Sequence, residues 1–515
     1  MEERPRCVFM AFGTKGDVNP IAGVAAAFAT DQSQYMVYLI THSAHENLSE
    51  DLRAKGVFFV PVSTPPVLSS QHHHQQPPGD RNAEASDFAL QKKAITREHR
   101  LECLKAVEMI FGDGPSLQDD FIVINFFALE GWSLAELFRV RCVVAAPYVV
   151  PYSAPASFER HFRKEFPLLY KCLQEAPEDK ASLSLEQAFR ILILICCIGN
   201  RYLVLNMFYA LCWKDDPVTS LPILSDWLKA PLLLYGFSEK VVECPGYWPS
   251  NAQVCGFWFL PMEWQFSCSG CRTNLVTDYP GHLHAKFELC AVHMDLQLFL
   301  TTSTSDLPIF IGLSSVGRQV HMGFLKNPQA FLRLLGVVVE ITNRRFILFS
   351  AGYEPLDRAI NVLAGGLTCS NQKRSCEGFL LFDNRVFCFS GTVPYSWLFP
   401  KCAVAVHHGG SGSTAAALLA GVPQVICPFL LDQFYWAERM FWLGVSPEPL
   451  HKDHLLPDED DEISIRRAAT SLSNAIRLAL SPDTKALAAD LARRISSEDG
   501  VGEAAKILKE EIVRC

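Results

Sequence analysis

A strand–helix alternation that occurs twice along this 515-residue chain constrains its fold more than any other feature. In the first series, short apolar runs predict five strands, with helical patterns at 21–30, 45–55 and 129–138. The runs are apolar at nearly every position, which is typical of parallel strands that helices cover on both faces. The predicted strands are residues 7–12, 35–41, 57–62, 121–125 and 142–146.

A second series of the same kind begins at Pro308 and predicts a second sheet. The fold class is therefore α/β, with two Rossmann-like, doubly wound domains facing a cleft, and ligands are expected at the carboxyl ends of the strands. The predicted strands are 309–313, 346–350, 378–382, 386–389, 403–407 and 424–428, followed by terminal helices at 464–513. The expected domains are 1–261 and 308–495, with a linker or insertion at 262–307 and a C-terminal helix at 496–515 that packs back on the first domain.

The segment between the two series, 151–260, is rich in aromatic residues and predicts helices. Before it, the polar, proline-rich stretch 65–84 predicts a surface loop, and its histidine triplet 72–74 is expected to be solvated. The apolar stretch 191–213 is long enough to span a membrane, but Asn200, Arg201 and Asn206 interrupt it. We expect a buried helix pair there, with peripheral contact to a membrane surface as the alternative.

Charge and cysteine content bound the partners and the compartment. Lysine and arginine total 46 and aspartate and glutamate total 55, so the formal charge of −9 gives no reason to bind nucleic acid broadly. The N-terminus is charged from its second residue and lacks the apolar core of a signal peptide. We therefore expect a cytoplasmic protein in which most of the 18 cysteines are reduced.

The strongest local signal is the sequence VHHGGSGSTA at 406–415, between a predicted strand and the helix predicted at 413–420. Glycines let backbone amides approach a ligand closely, and a helix N-terminus presents unpaired N–H groups and partial positive charge. Hydroxyl and imidazole donors add to this, so the segment predicts a diphosphate site, with a capped glycine turn as the alternative. The residues concerned are His408, Gly410, Ser411, Gly412, Ser413 and Thr414.

Two further groups of polar residues point to ligands. Asp432 and Gln433 follow the last predicted strand and offer acceptors and donors suited to vicinal sugar hydroxyls, or a helix cap. In the expected linker, the spacing C-x₂-C-x₁₈-C-x₂-H matches that of structural zinc sites. Its members are Cys268, Cys271, Cys290 and His293, and reduced thiols without metal are the alternative.

Five segments together resemble the UDP-glycosyltransferases, most closely the sterol 3β-glucosyltransferase branch and its bacterial antibiotic-glycosyltransferase relatives. They are GTKGDVNP (13–20), LYGFSEKVVECPGYWPSNAQVCGFWF (234–259), VPYSWLFPKC (393–402), VHHGGSGSTAAALLAGVPQVICPFLLDQ (406–433) and SEDGV (497–501). The resemblance implies the GT-B fold, with a UDP-sugar bound by the C-terminal domain and an acceptor by the N-terminal one. It also implies inversion at the anomeric carbon and no required metal cofactor.

The resemblance carries over to named positions. His408 and residues 410–414 match the diphosphate site, Asp432 and Gln433 the residues that contact the donor sugar, and Ser315 a serine near the phosphates. Val393 lies where a backbone group meets the uracil, with Trp397 nearby. Asp17 matches the residue that removes the proton from the acceptor hydroxyl, a role that a carboxylate at the end of a strand can fill. Capping of the helix that follows is its alternative role.

The implied function is transfer of a hexose, with glucose as the leading candidate, to a lipophilic alcohol such as a sterol. Two positions depart from the family pattern. Ser314 stands where the family has a glycine, after the first strand of the second series, and its side chain could crowd the approach of a phosphate to the backbone. Lys15 stands where the family has an arginine, which keeps the charge but loses the bidentate hydrogen bonding. The alternatives are therefore an inactive homologue that only binds UDP-sugars, and a nucleotide-sugar epimerase of the same architecture.

Overall fold

The computed structural model describes residues 4–66, 81–112, 119–148, 232–242, 251–278, 288–302, 306–312, 325–365, 378–391, 393–429 and 432–513. These residues form two compact units. Unit 1 contains the described residues up to 260 together with those from 498 onward, and unit 2 contains residues 261–497. Residues 262–307, expected to be a linker, are grouped with unit 2.

Unit 1 is built on a seven-stranded sheet in which all neighbouring strands are parallel. The strand order is β3-β2-β1-β4-β5-β6-β7. The central strands are buried along almost their whole length, as their continuous apolar sequences predict. The strands are β1 (Arg6–Met10), β2 (Met36–His42), β3 (Val57–Val62), β4 (Phe121–Ile124), β5 (Arg141–Ala146), β6 (Leu232–Tyr235) and β7 (Ala252–Val254).

Four α-helices connect the first five strands of unit 1. The first helix begins six residues earlier than predicted, because Thr14 and Asp17 form a capping box ahead of the small apolar residues. The helices are α1 (Lys15–Thr30), α2 (Ser49–Ala54), α3 (Arg81–Phe111) and α4 (Leu129–Phe138), with a 3-10 helix at Ser43–Leu48 before α2.

Unit 2 contains a six-stranded sheet of order β10-β11-β9-β8-β12-β13. The repeated alternation predicts parallel strands throughout, but β10 runs antiparallel to β11. Only residues 382–385 separate these two strands, and so short a connection can form a hairpin but not a parallel crossover. The strands are β8 (Ile309–Gly312), β9 (Phe346–Phe349), β10 (Gly378–Leu381), β11 (Val386–Phe389), β12 (Val404–His407) and β13 (Gln424–Ile426).

Helices of unit 2 pack their apolar faces on this sheet. Buried leucine, isoleucine and valine side chains of the eighth and thirteenth helices join the strands in one core. The helices are α5 (Met262–Gln265), α6 (Ser269–Asp278), α7 (Met294–Thr301), α8 (Pro328–Thr342), α9 (Glu354–Leu363), α10 (Tyr395–Leu398), α11 (Ser411–Leu419), α12 (Gln433–Trp442), α13 (Glu462–Ala479) and α14 (Pro482–Ile495). Short 3-10 helices occupy Ala291–His293, Phe399–Lys401 and Lys452–His454.

The last helix, α15 (Gly500–Val513), belongs to unit 1 and packs against α1. Glu498, just before it, accepts a hydrogen bond from the Ser238 hydroxyl at 2.8 Å and pairs with Lys240 at 3.2 Å. Near the far end of α15, Lys509 pairs with Asp31, which follows α1. The SEDGV segment at 497–501 therefore anchors the end of the chain to unit 1.

Several predicted elements differ from the structure. Residues 151–260 were expected to be helical, yet β6 and β7 fall within them, because runs of three or four apolar residues do not distinguish strand from helix. The loop predicted at 65–84 ends in helix, since α3 begins at Arg81, and the helix predicted at 45–55 divides into a 3-10 helix and α2. The histidine triplet 72–74 lies outside the described residues.

The apolar stretch 191–213 also lies outside the described residues. Within the described ranges, none of the helices combines the length and the apolar character that crossing a membrane requires.

We predict that Gly500→Ala destabilises the protein, because α15 meets a neighbouring backbone at this glycine. A Cβ there would lie 2.4 Å from the carbonyl carbon of Gly256 and 2.5 Å from the Phe257 oxygen, and backbone atoms cannot rotate away. We expect the free energy of unfolding in urea to fall by about 1–3 kcal/mol.

Gly16→Ala is the matched control, since Gly16 also lies in the first turn of a helix of unit 1. The nearest atom to a Cβ there is the Thr14 hydroxyl oxygen at 3.8 Å, an ordinary contact. We expect this variant to be neutral or slightly stabilised. Equal stability of the two variants would contradict the packing of α15 described above.

Candidate functional site

Each sheet has one point at which the order of its strands reverses direction. In unit 1 the point lies between β1 and β4, and in unit 2 it lies between β8 and β12. Connections leave such a point in opposite directions, so a crevice opens at the carboxyl ends of the two strands. Asp17 follows β1, and the segment 408–414 follows β12, so each lies at the reversal point of its own sheet.

The segment 408–414, here called the cradle, leads from β12 into α11. Gly409 has φ +85°, the left-handed conformation that favours glycine, and a Cβ there would lie 2.7 Å from Ile426. Gly410 is the N-cap of α11, and a Cβ on it would lie 2.5 Å from His408 Nε2. Both glycines are therefore required by close packing, and the second lets the His408 ring lie against the backbone.

The N-terminus of α11 is accessible from outside unit 2. Ser411 is half-buried and Gly412 is exposed, whereas Ser413 and Thr414 are buried. α11 begins two residues before the predicted start, so Ser411, Gly412 and Ser413 form its first turn. The N–H groups of a first turn have no acceptor within their own helix, and the helix dipole adds partial positive charge. The cradle therefore has the chemistry of an anion site.

Two buried side-chain atoms in the cradle have no hydrogen-bond partner among the described residues: His408 Nδ1 and Thr414 Oγ1. The side chain of Thr414 is fully buried and that of His408 is 6% exposed. Burial, with a smaller contribution from His407, lowers the pKa of His408 to about 3, so its imidazole is neutral at physiological pH. A neutral ring and a hydroxyl can donate hydrogen bonds to phosphate oxygens, and a ligand that accepts them would satisfy both atoms.

The backbone of the cradle is fixed by His407, which the sequence did not single out. Its Nδ1 accepts a hydrogen bond from the Gly409 N–H at 3.0 Å, and its Nε2 contacts Gln424 Oε1 at 2.9 Å. Since Nδ1 is an acceptor, the proton lies on Nε2 and is donated to Gln424. Burial lowers the pKa of His407 to about 4, so this arrangement persists at neutral pH.

The two residues predicted to contact sugar hydroxyls both make internal hydrogen bonds. Asp432 is the N-cap of α12, but its carboxylate accepts from the Trp436 indole N–H at 2.9 Å rather than from the helix backbone. Gln433 is buried, and its Oε1 accepts from the Phe429 N–H at 2.9 Å. Asp432 is half-buried and lies at the carboxyl side of β13, as the sequence predicted.

Val393 and Trp397, expected near a nucleobase, lie at the start of α10 and are buried. The Trp397 side chain is only 1% exposed, and Lys401 Nζ lies 4.0 Å above its ring and donates to its backbone oxygen. The ring is thus part of the core of unit 2. Ser315 lies outside the described residues.

In unit 1, Asp17 occupies the third position of α1 and completes the capping box. One carboxylate oxygen, Oδ2, accepts from the Thr14 N–H at 2.7 Å and from the Thr14 hydroxyl at 2.8 Å. Among the described residues, no hydrogen bond reaches Oδ1. Burial raises the pKa of Asp17 to about 6, against the opposing effect of the Thr14 hydrogen bonds. The carboxylate is therefore ionised at neutral pH and more basic than an ordinary aspartate.

Asn125, at the end of β4, holds the loop between β1 and α1 and was not singled out from the sequence. Its fully buried amide donates to the Phe12 oxygen at 2.8 Å and accepts from the Phe12 N–H at 3.2 Å. It also donates to the backbone oxygen of Asp17 at 3.3 Å. On the other side, His45 Nε2 bonds to the Gly13 oxygen at 3.0 Å. The loop that leads to Asp17 is thus held by contacts on both sides.

The cysteines and the histidine of the predicted zinc motif come together in unit 2. Cys268, Cys271, Cys290 and His293 place one potential ligand atom each within 4.8 Å of the other three. All three thiols are free of disulfides. The other two histidines of this region, His282 and His284, lie outside the described residues.

Comparison with known proteins gives related sequences. Residues 384–508 match the family model of the erythromycin biosynthesis protein CIII-like C-terminal domain. A sterol 3-beta-glucosyltransferase of Arabidopsis thaliana is 27% identical over 504 residues, covering 97% of this chain and 64% of that protein. A second sterol 3-beta-glucosyltransferase of the same plant is 40% identical over 111 residues, which are 22% of this chain and 16% of that protein. The chain thus spans less than two thirds of the length of these relatives.

Solved structures give the fold. The crystal structure of the glycotransferase of kitacinnamycin matches with a TM-score of 0.55, covering 99% of this chain and 100% of that one at 14% identity. Together with the two parallel-rich sheets, this match confirms the predicted fold class. The chain is therefore a homologue of the sterol 3-beta-glucosyltransferases and has the GT-B fold of glycosyltransferases, as its motifs predicted.

Proposed function

We propose that this protein transfers a hexose, with glucose as the leading candidate, from a UDP-sugar to the hydroxyl group of a lipophilic alcohol such as a sterol. The observation that carries the proposal is a pair of buried polar atoms beside the N-terminus of α11, His408 Nδ1 and Thr414 Oγ1, which have no hydrogen-bond partner in the described part of the chain. The names of the related plant proteins support both the reaction and the acceptor class.

In the proposed complex, the diphosphate of the donor lies at the cradle. The N–H groups of residues 411–413 and the hydroxyl of Thr414 donate to its oxygens, and His408 donates from Nδ1. Because His408 is neutral, it contributes a directed hydrogen bond rather than a charge. The stabilisation of the negative charge then comes mainly from the helix N-terminus and its amides.

The other contacts to the UDP-sugar are assigned from the positions that match the family's motifs. We place the uracil at the backbone of Val393, with Trp397 behind it as buried support, and the sugar hydroxyls at Asp432 and Gln433. Ser315 is assigned to the phosphates on the resemblance alone. The internal hydrogen bonds of Asp432 and Gln433 would hold these side chains in place when the sugar binds.

For the acceptor, Asp17 is the proposed base. As the hydroxyl oxygen attacks the anomeric carbon, its proton passes to Asp17 Oδ1, while the bond from that carbon to the UDP oxygen breaks. UDP leaves with the bonding electrons, and attack opposite the leaving group inverts the anomeric configuration. The raised pKa of Asp17 suits this step, since the carboxylate stays ionised at pH 7 but binds a proton more readily than an exposed one. No metal cofactor takes part.

A lipophilic acceptor also indicates the place at which the enzyme meets its substrate. Sterols reside in membranes, so we include peripheral contact with a membrane surface, from the cytoplasmic side, in the proposal. The identity of the acceptor is best approached by a screen.

The proposal is tested by incubating the protein with UDP-glucose alone and then with a panel of sterols and phenols, followed by mass spectrometry. We expect an acceptor mass increased by one hexose, with UDP released only when an acceptor is present. Conversion of the UDP-sugar without acceptor would identify an epimerase. Binding of UDP-glucose in calorimetry without any product would identify an inactive homologue.

We predict that Asp17→Asn reduces transfer by about 10²–10⁴-fold, because an amide cannot accept the proton. The amide oxygen can still accept from the Thr14 N–H, so the capping of α1 is retained. Initial rates and urea unfolding at pH 8 separate the two roles: activity should fall while stability does not. Asp31→Asn, at the other end of α1, is the control and should keep the wild-type rate.

The pH dependence checks the same assignment. The transfer rate of the wild type should rise with pH through about 6, as Asp17 loses its proton. The raised pKa also stabilises the fold below the unfolded-state pKa near 4, and this contribution is lost as the pH rises through about 6. Asp17→Asn should remove that part of the pH dependence of stability. A wild-type rate in this variant at pH 8 would refute the role of Asp17 as base.

We predict that Thr414→Val weakens binding of UDP by about tenfold without loss of stability. The hydroxyl has no partner among the residues that the structure describes, so its removal is neutral or stabilising, whereas the complex loses a hydrogen bond to a charged oxygen. Calorimetry with UDP and thermal unfolding measure the two effects.

Thr41→Val, in β2 of unit 1, is a matched control for this variant. The Thr41 hydroxyl is also fully buried and unpartnered among the described residues. Its removal should affect stability in the same way and leave the affinity for UDP unchanged. Unchanged affinity in Thr414→Val would exclude this hydroxyl from the donor site.

A further inference from the structure

The cysteine–histidine cluster, Cys268, Cys271, Cys290 and His293, has no role in the proposed transfer. Its members come from two turns separated by 18 residues of sequence. Cys268 and Cys271 lie at the start of α6, whereas Cys290 precedes and His293 ends the 3-10 helix that leads into α7. The fold thus brings together two pairs of ligand-type side chains that the sequence keeps apart.

Four of the distances between potential ligand atoms are close to those of a tetrahedral site, and all of them are within 4.8 Å. Cys290 Sγ lies 3.5 Å from both Cys268 Sγ and Cys271 Sγ. His293 Nδ1 lies 3.3 Å from Cys271 Sγ and 3.5 Å from Cys290 Sγ. Ligands at about 2.3 Å (sulfur) and about 2.0 Å (nitrogen) from a tetrahedral zinc are separated by about 3.5–3.8 Å. Small shifts of the side chains would therefore complete the coordination.

The backbone around the cluster is shaped to let the thiols approach. A Cβ at Gly270 would lie 3.1 Å from Cys290 Cβ and 3.2 Å from its Sγ, so the glycine leaves room for the second pair of ligands. The backbone N–H of Cys290 lies 3.5 Å from Cys271 Sγ, an N–H···S contact of the kind that stabilises a metal-bound thiolate. Cys271 and His293 are buried, and Cys268 and Cys290 are half-buried.

Side chains of the segment that carries the cluster contact the sheet of unit 2. The His293 ring lies 5.7 Å from that of Phe389, and the Phe299 ring of α7 stacks on Phe387 at 5.5 Å. Arg345 donates to the Phe299 backbone oxygen at 2.7 Å. Because β11 receives both aromatic contacts, a clamp between α6 and α7 would fix the whole segment to this strand.

We infer that Cys268, Cys271, Cys290 and His293 bind one structural zinc ion, which joins α6 to α7 and fixes them on the sheet of unit 2. Four protein ligands fill a tetrahedral site and leave no position for water, so the metal takes no part in catalysis. The inference is independent of the proposed glycosyl transfer, since it concerns the folding of this segment.

Metal analysis of the full chain, purified without chelators under reducing conditions, tests the inference. We expect about one zinc per chain in the wild type and a loss to background in Cys290→Ser. Cys142→Ser is the control, because this half-buried thiol in β5 belongs to unit 1 rather than to unit 2, and the zinc content of the variant should match that of the wild type.

A pair of variants at His293 distinguishes ligation from packing. His293→Cys supplies another zinc ligand and should keep the metal, whereas His293→Ala should lose it. A zinc chelator should lower the unfolding temperature of the wild type by at least about 5 °C and leave that of His293→Ala unchanged. If one variant fails to fold, the metal content and chelator response of the wild type still decide.

Three results would overturn the inference. The first is folded wild-type protein without zinc, whose cluster thiols all react with a thiol reagent. The second is a disulfide within the cluster, seen as a mass about 2 Da lower than that of the reduced chain. The third is a different metal at the same ligands. Each can be read whether or not the protein transfers sugar.

Discussion

The central strands of both sheets are buried, and neighbouring strands take up the hydrogen bonds of their backbone on each side. Polar side chains that bind a ligand are therefore expected at the ends of these strands rather than along them. At the reversal points, between β1 and β4 and between β8 and β12, the strand order sends the two following connections in opposite directions. This constraint explains why Asp17 in unit 1 and the cradle in unit 2 occupy equivalent places in two sheets of different strand order.

The buried polar atoms of the cradle destabilise the fold, and the packing of the rest of unit 2 offsets this effect. A buried polar atom without a partner destabilises a fold by about 1–3 kcal/mol. Two atoms that lack a partner within the described ranges lie within seven residues, at His408 and Thr414. The backbone between them is nevertheless well fixed, since His407 binds both Gly409 and Gln424. A rigid loop with unsatisfied donors is organised for a ligand before the ligand arrives, which reduces the entropy lost on binding.

Local patterns explain which parts could be predicted from the sequence. Runs such as Phe121–Ile124 are apolar at every position, so the buried strands were evident, and the cradle was evident from its glycines. β7 (Ala252–Val254) was missed because three half-buried residues become a strand only through pairing with β6. Asn125 was missed for a similar reason: its partner Phe12 is 113 residues away. Nor does sequence show that Trp397 is buried.

The cysteine–histidine cluster illustrates how a short segment can be stabilised where apolar side chains are few. Among the described side chains of α6, only Cys271 and Leu275 are buried, and among those of α7 only Leu296 and Phe299. Segments of this size bury too little apolar surface to offset the entropy of ordering their backbone. Thiols are weak hydrogen-bond partners, so the contacts among three thiols and one imidazole contribute little by themselves. A metal ion that all four bind would supply the missing stabilisation, and it would do so at β11, whose chain leads directly to Val393 and the segment assigned to the nucleobase.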